Sequence, residues 1–312
     1  MQKSLLILFF IFVLTPTKAQ YKIDVNSTPR AILSIQPKVG YSISKTSFNI
    51  AGNESGSNPN VLSELIWNPT NALEYGIDAT LKHQNFILKA NISLNNTLFG
   101  NVSDIDYAED NRTAPYSTLQ LSNHKGNGYS IQLKPGYNWS KKEQLAFVTY
   151  VTFDYSGRKL YLLNDKDWHS SNKNYISGLN SYYKYNFPAY GLGTSLDYTL
   201  STKLSSQLAL EGYVSSYYAY GNWNLIEDFE KPISYEHKGK GMKFSSSLAF
   251  AYRISSYTKL GLNYQFNHFT VNHGKDFLYS KSQGLMKSKL NKADETKHGI
   301  GLNLCIDLPL TK

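Results

Sequence analysis

The chain has 312 residues, a formal net charge of +9 and a single cysteine, Cys305. One cysteine excludes an internal disulfide, and no stretch beyond the first twenty residues approaches the roughly 18 to 20 apolar residues of a membrane-spanning helix. A positive charge is also typical of nucleic-acid binding, but no recognition helix or RNA-binding motif is present, so we expect no nucleic acid. Anionic lipid headgroups or lipopolysaccharide phosphates suit the charge better.

The first residues have the pattern of an export signal. A positively charged start is followed by an apolar run over residues 5–14 and by small residues at 17–19. The run is too short to span a bilayer as a helix. We therefore predict a cleaved signal peptide over residues 1–19. The rest shows no linker or compositional break, which favours one domain over residues 20–312.

Residues 129–156 show the strongest regular pattern. Every second residue is apolar or aromatic over about a dozen positions, then a polar turn at 140–144 follows, and the alternation resumes over 145–156. Period-two alternation places one set of side chains on one face of a strand. Alternating segments of this length, repeated along a chain, are typical of strands in a transmembrane barrel.

The same alternation recurs from the first strand, residues 31–48, to a last strand that carries Ile300, Leu302 and Leu304. We count ten strands, with tight turns at 83–85, 140–144, 201–203 and 255–257. Longer polar connections are predicted near residues 50, 101–127, 170, 222–240 and 273–291. The sequence therefore predicts an all-β fold, a ten-stranded antiparallel transmembrane β-barrel of the outer membrane of a Gram-negative bacterium, with the long loops facing the cell exterior.

Charged residues of both signs fall on the predicted inner face. Glu74, Lys89, Lys134, Asp154 and Lys243 are examples. A barrel of this size is more typically filled by side chains than open as a wide pore. We expect a plugged lumen and a monomer.

Ten long strands, together with four local segments, resemble the omptins, a family of outer-membrane endopeptidases related to ten-stranded surface adhesins. The segments are residues 63–67 (Ser-Glu-Leu-Ile-Trp), 100–106 (Gly-Asn-Val-Ser-Asp-Ile-Asp), 122–124 (Ser-Asn-His) and 183–192. The resemblance covers nearly the whole mature chain at low identity. The Asp-x-Asp that follows Gly-Asn is its most specific element.

The resemblance implies an aspartic-type endopeptidase, in which an Asp/Asp couple and an Asp/His couple activate a water between them. Asp104 and Asp106 match the first couple, while Ser122 and His124 fall where omptins carry a Ser-x-His. These four residues are our candidate catalytic residues. A general base that deprotonates water, with carboxylates that orient the imidazole, is sensible chemistry for hydrolysis.

The sequence departs from the omptin pattern at the second couple. Asn224 and Ile226 stand where Asp and His are expected, and Phe48 and Asn222 replace the acidic pair that accepts a basic substrate side chain. Without those charges, dibasic specificity is not expected. The adjacent residues at 236–237, Glu and His, are the best substitute by chemistry, although they lie about ten residues late in the chain.

The lipopolysaccharide site that the resemblance implies is matched in part. Tyr150 and Lys184 agree with the family pattern, whereas Thr152 and Asp154 stand where Glu and Arg are expected. Lipopolysaccharide remains the expected bound lipid. We expect no cofactor and no metal, because the histidines lack metal-site spacing with a third ligand.

Three functions remain open. The first is a surface endopeptidase with altered specificity, at whose rim a peptide or protein substrate binds. The second is a catalytically silent barrel, an adhesin whose loops bind an extracellular ligand. The third is a pore for small solutes, which ten strands make narrow.

Overall fold

The computed structural model describes residues 31–140, 144–164 and 175–310, so the predicted signal peptide lies outside the described residues. The described residues contain eleven strands: β1 Ala31–Ile50, β2 Ser63–His83, β3 Phe86–Glu109, β4 Thr113–Ser122, β5 Gly126–Asn138, β6 Leu145–Leu162, β7 Ser181–Thr199, β8 Leu204–Asn222, β9 Tyr235–Arg253, β10 Thr258–Ser280 and β11 Gly284–Leu310. A 3₁₀ turn, Asp110–Arg112, joins β3 to β4. In these ranges no helix has the length and apolar character needed to cross a membrane.

The strands form one antiparallel sheet that closes into a ring. The order β2-β1-β11-β10-β9-β8-β7-β6-β5-β3-β4 is completed by a further pairing of β2 with β3. The first part of β3 pairs with β5 and its last part with β4. Strands β4 and β5 therefore share one place, and the ring has ten places. The predicted all-β, ten-stranded antiparallel barrel is confirmed.

The outer surface carries a wide apolar band, in which large side chains are exposed on strand after strand. In the hairpin of β5 and β6, these include Ile131, Leu133, Val151, Phe153 and Tyr155. Alternating residues such as Gln132 and Asp154 are buried in the lumen. An exposed apolar surface of this extent is the lipid-facing side of a membrane barrel.

Three of the predicted loops are wrong in large part, because strands occupy much of them. Residues 101–127 contain the end of β3 and all of β4, β9 begins within 222–240, and β10 and β11 run deep into 273–291. These segments lie beyond the apolar band, at the end of the barrel that carries the β3–β4 and β10–β11 hairpins. We call this end the upper end. Water replaces lipid there, so their outward residues are polar and the apolar alternation that reveals a strand is absent.

The lower lumen is polar and filled by ion pairs. Lysine ammonium groups meet carboxylates at 2.5 to 2.9 Å in the pairs Lys134–Glu211, Lys243–Asp154 and Lys297–Glu74. A cavity of about 290 Å³ remains among these side chains. The prediction of a lumen filled by polar contacts is confirmed.

The upper lumen is filled by aromatic side chains, which we call the aromatic layer. Trp67 stacks on Tyr183 with ring centroids 5.7 Å apart, and Phe48 lies 4.7 Å from Tyr183. The complete layer is Phe48, Trp67, Tyr183, Tyr185, Phe187, Tyr217, Tyr235 and Phe269, all of them buried. Because Tyr185, Phe187 and Phe269 also line the polar cavity, the layer lies directly above it.

Candidate functional site

Asp104 and Asp106 lie two residues apart on β3 and therefore on the same face of the strand. Their surroundings differ. Asp104 is only 9% exposed, and its cross-strand neighbours are Leu65 and Leu119. Asp106 lies between two serines, Ser63 and Ser117, whose hydroxyls donate hydrogen bonds to it.

The apolar surroundings change the acidity of the couple. Burial, together with the nearby charge of Asp106, raises the pKa of Asp104 from 3.8 to about 7. One of its oxygens, Oδ1, has no hydrogen-bond partner among the described residues. Burial also raises the pKa of Asp106, although the two serine hydroxyls oppose the shift. Near neutral pH the Asp104 carboxyl is thus protonated in a large fraction of molecules.

Ser122 and His124 form a local contact at the break between β4 and β5. The hydroxyl Oγ of Ser122 lies 2.7 Å from Nδ1 of His124 and also donates to the carbonyl oxygen of Asn164 at 2.8 Å. Ser122 follows Leu121, which belongs to the buried apolar core. The serine therefore lies on the opposite face from Leu121.

The neighbours Glu236 and His237 face opposite sides of β9. Glu236 accepts hydrogen bonds from the hydroxyls of Tyr218 at 2.5 Å and Tyr279 at 2.8 Å, and it pairs with the exposed Lys238. His237 is fully buried in the lumen. Because consecutive side chains of a strand alternate between faces, Glu236 is not the carboxylate partner of His237.

The partner of His237 is Asp276, directly opposite on β10. Nε2 of the imidazole lies 3.1 Å from Oδ1 of Asp276, while Nδ1 lies 2.8 Å from the hydroxyl of Tyr183. The other oxygen of Asp276 accepts a hydrogen bond from Ser288 at 2.9 Å. An Asp/His couple is therefore present in the barrel, assembled from two strands. No sequence pattern predicts this couple, because Asp276 falls in a stretch predicted to be a loop.

The positions matched to the omptin pattern serve other purposes. Oδ1 of Asn224 accepts hydrogen bonds from the backbone N–H of Asn180 and from the hydroxyl of Ser181, both at 2.9 Å, which holds the connection after β8 against the start of β7. Asn222 donates from Nδ2 to the carbonyl oxygen of Pro232 at 3.0 Å. Phe48 is part of the aromatic layer and its ring lies 4.6 Å from that of His237.

The two couples lie on opposite sides of the barrel. Strands β3 and β9 are five places apart in either direction around the ten-place ring. The rings of the aromatic layer lie between them. Burial, and then the charges of Asp104 and Asp276, hold the pKa of Tyr235 well above its usual range, so its hydroxyl is within electrostatic reach of both carboxylates. The space between the couples is thus occupied by side chains.

The four residues matched to the lipopolysaccharide site do not share a face. The hydroxyl of Tyr150 donates to Glu211 at 2.8 Å inside the lumen, and Thr152 and Asp154 are buried there as well. Lys184 alternates with the buried Tyr183 and Tyr185 and therefore points outward. Separately, the part of the chain that the structure describes contains no group of three His, Cys, Asp or Glu side chains that could hold a metal ion.

Comparison with known structures shows a strong likeness to an outer-membrane barrel. The fold is similar to that of the outer membrane protease OmpT from Escherichia coli, with a TM-score of 0.67 and 14% identity over 90% of this chain and 98% of that chain. The toluene transporter TbuX from Ralstonia pickettii (TM-score 0.36, 10% identity, 91% and 90% covered) and OprG from Pseudomonas aeruginosa (0.34, 12%, 91% and 99%) are more distant. At such identities the likeness to OmpT concerns the fold alone.

No curated protein sequence matches the chain. A family model does match it, over residues 33–307, and its description is Pom, Protochlamydia outer membrane protein. The match includes all or most of every strand of the ring. The chain therefore belongs to the Protochlamydia outer membrane protein family and is an outer-membrane β-barrel.

Proposed function

We propose that the protein is a catalytically silent surface barrel, whose upper end binds an extracellular ligand. The observation that carries this proposal is the state of His237. Its side chain is 0% exposed, one ring nitrogen contacts Tyr183 and the other contacts Asp276. A general base needs a water or a substrate proton within hydrogen-bonding reach. Both nitrogens of this imidazole face protein side chains instead.

The first omptin-like couple supports the same conclusion. Asp104 is nearly as buried as His237, and Phe48, Tyr183 and Tyr235 fill the space that a peptide bond would need. A peptidase of this kind requires a cleft that admits the substrate between its couples. The aromatic layer takes the place of that cleft.

The lengths of the connections support one orientation of the barrel in the membrane. Outer-membrane barrels have short periplasmic turns and longer extracellular connections. The turns after β2, β7 and β9 are brief, whereas β3–β4 and β10–β11 form tall hairpins at the other end. We assign this second end to the cell exterior, which places the upper lumen and the aromatic layer at the surface of the cell.

The outward surface below this rim has the chemistry of a recognition surface. The ammonium group of Lys159 lies 3.7 Å from the ring centroid of Tyr182 and 4.8 Å from that of Tyr161. Lys125 approaches Tyr161 at 4.6 Å, and Lys184 approaches Tyr220 at 5.9 Å. Lysines held over tyrosines present an ordered cation beside a polarisable ring, a combination suited to acidic or sugar-bearing ligands.

An endopeptidase is the second candidate, favoured by one observation. The Asp104/Asp106 and His237/Asp276 couples lie on opposite sides of the ring, as two couples that activate a shared water would. Movement of Phe48 and Tyr235 out of the upper lumen is then required before any substrate binds. This requirement separates the two candidates experimentally.

The experiment uses purified protein reconstituted with lipopolysaccharide and a diverse peptide library. The silent-barrel proposal expects no cleavage by the wild type or by Asp104→Ala. Cleavage that Asp104→Ala and His237→Ala both abolish supports the peptidase instead. In parallel, cells that display the protein are bound to immobilised matrix proteins. The variant Lys159→Gln/Lys184→Gln is expected to reduce this binding, and unchanged binding by it contradicts the proposed surface.

A further inference from the structure

Six lysines point outward from the upper wall of the barrel, on three neighbouring strands. Their direction follows from alternation, because chain neighbours such as His237, Asp276 and Leu290 are buried in the lumen. Five of the six lysines are exposed, and the sixth is half-buried. We call this set the lysine cluster. It lies on β9, β10 and β11 and consists of Lys238, Lys240, Lys275, Lys287, Lys289 and Lys292.

Three members of the cluster stand side by side. Lys275 on β10 is directly opposite Lys238 on β9 and directly opposite Lys289 on β11. Neighbouring strands lie roughly 5 Å apart, and like charges directly opposite each other destabilise a sheet. An anionic ligand that lies across the three strands removes this repulsion.

The protein itself supplies few carboxylates to the cluster. Lys238 pairs with Glu236 at 2.9 Å, and Lys292 lies 3.5 Å from Asp294. No carboxylate among the described residues forms an ion pair with the other four lysines. Two carboxylates for six lysines leave this part of the wall strongly positive.

The centre of the cluster stands clear of the membrane. Lys275 lies eleven residues beyond Tyr264, and Lys289 lies eleven residues beyond Ile300, the last exposed apolar residues of the band on β10 and β11. Eleven residues of a strand span about 35 Å, and at a tilt of roughly 45° they rise about 25 Å. The headgroup region on each side of a bilayer is only about 5–8 Å thick. A ligand at this height is a soluble molecule and not a membrane lipid.

The lysines also repeat along the strands. Lys238 and Lys240 on β9 are two residues apart, as are Lys287 and Lys289 on β11, and two residues of a strand span about 7 Å. The wall thus presents positive charges in two directions, across the strands and along them. A single carboxylate or phosphate spans one such interval. An extended chain with a negative group on each unit spans several.

The aromatic rings beside the cluster offer no free platform for nucleic-acid bases. The ammonium group of Lys238 lies 5.2 Å from the ring of Phe277 and 5.7 Å from that of Tyr218. Proteins that bind single-stranded nucleic acid combine positive charge with aromatic rings on which the bases stack. The cluster also contains no arginine, whose planar guanidinium suits bidentate contacts with phosphate. These features favour the sulfate groups of a polysaccharide over the phosphates of a nucleic acid.

We propose that the lysine cluster binds a sulfated polysaccharide at the cell exterior, with Lys238, Lys275 and Lys289 at its centre. The polysaccharide lies across β9, β10 and β11, and its sulfate groups lie between the ammonium groups. The cluster is separate from the surface around Lys159 and Lys184 on β6 and β7. The inference shares with the proposed function only the assignment of the upper end to the cell exterior.

The test measures the binding of labelled heparin, desulfated heparin and dextran to the full-length protein in neutral detergent micelles. An exposed ion pair strengthens binding by up to about fivefold, so Lys238→Gln/Lys275→Gln/Lys289→Gln is expected to weaken heparin binding by up to about 100-fold. Lys238→Arg/Lys275→Arg/Lys289→Arg keeps the charges and is expected to keep the binding. Desulfated heparin and dextran are expected to bind far more weakly than heparin, and added salt is expected to weaken heparin binding. Equal binding of heparin and dextran, or an unchanged affinity of the glutamine variant, overturns the proposal.

The matched control removes three charges outside the cluster. Lys82→Gln/Lys203→Gln/Lys231→Gln changes exposed lysines and is expected to bind heparin like the wild type. An equal loss in this control shows that only net charge matters and overturns the proposal. Lys159→Gln/Lys184→Gln is also expected to keep heparin binding, and its failure to do so assigns the ligand to the other surface. Tighter binding of single-stranded DNA or of lipopolysaccharide at the same lysines overturns the choice of a sulfated polysaccharide.

Discussion

Nε2 of His237 lies 3.1 Å from Oδ1 of Asp276, although the two residues are far apart in the chain. The contact is short but not aligned as a hydrogen bond, and neither atom has another partner among the described residues. Both side chains are buried, and the ring of His237 contacts the rings of Phe48 and Tyr183. Such a couple favours the observed pairing of β9 with β10 from inside the barrel, because a shift of one strand by one residue turns one of the two groups to the outer face.

A structural role for this couple predicts that its loss reduces stability. Asp276→Ala is expected to lower the free energy of unfolding by about 1–3 kcal/mol, because it removes the carboxylate beside the imidazole and leaves the Ser288 hydroxyl without an acceptor. Urea denaturation in detergent micelles measures the change. Asp294→Ala, which removes a partly exposed carboxylate from β11, is the control and is expected to change stability by less than about 1 kcal/mol. Equal effects contradict the structural role.

Asp104 predicts a dependence of stability on pH. Its pKa is about 7 in the folded state against 3.8 as the ordinary value, so between these values the folded state holds a proton that the unfolded state has lost. Stability therefore falls as the pH rises from about 4 to about 7 and then stays level. Asp104→Asn removes this dependence. Between pH 4 and pH 8, the free energy of unfolding of the wild type is expected to fall by up to about 4 kcal/mol more than that of Asp104→Asn.

Unfolding midpoints from pH 4 to pH 8 check this prediction. Asp106→Asn provides the comparison, because its carboxylate is more exposed and accepts two serine hydroxyls. Its effect on the pH dependence is expected to be smaller. A wild type whose stability rises over the same interval contradicts the burial of Asp104.

The ion pairs of the lower lumen predict that removing one charge of a pair costs more stability than removing both. Lys243 contacts Asp154 at 2.5 Å, and both side chains are buried. Asp154→Ala leaves a buried ammonium unpaired and is expected to cost about 3–5 kcal/mol. The double variant Asp154→Leu/Lys243→Met removes both charges and is expected to recover most of this loss. If the double variant is as unstable as Asp154→Ala, an unpaired charge is not the cause.

The aromatic layer predicts a barrel without ion conductance. The wild type in planar bilayers is expected to give no single-channel current, because Trp67, Tyr183 and Phe187 fill the upper lumen. Tyr183→Ala/Phe187→Ala opens space above the polar cavity and is expected to produce current steps. The heat-dependent gel shift of a folded barrel shows that this variant has assembled. Current through the wild type contradicts this prediction and supports a pore for small solutes.

The fold was predictable wherever strands cross lipid. Ile131, Phe153 and Leu302 belong to the apolar band, whereas the residues next to them in the chain face a polar lumen. This contrast produces alternating apolar and polar residues in the sequence. The alternation is absent from β4, which therefore could not be predicted. Its outward residues meet water, and residues such as Thr118 and Gln120 give no apolar signal.

The candidate site was predictable only in part. The resemblance identified Asp104 and Asp106, and the structure places both on one face of β3. His237 was noted beside Glu236, but its true partner, Asp276, depends on the register between β9 and β10, which no local pattern reveals. The aromatic layer was missed for a related reason. Phe48, Tyr183 and Tyr235 come from three distant strands, and only ring closure brings them together.

We propose that the aromatic layer replaces a catalytic cleft, and peptide cleavage by the lipid-reconstituted protein decides whether it does. The predicted result is that the wild type cleaves no member of a diverse peptide library, like Asp104→Ala and His237→Ala. Cleavage by the wild type that either substitution abolishes contradicts the claim, because it requires water and substrate between Asp104 and His237.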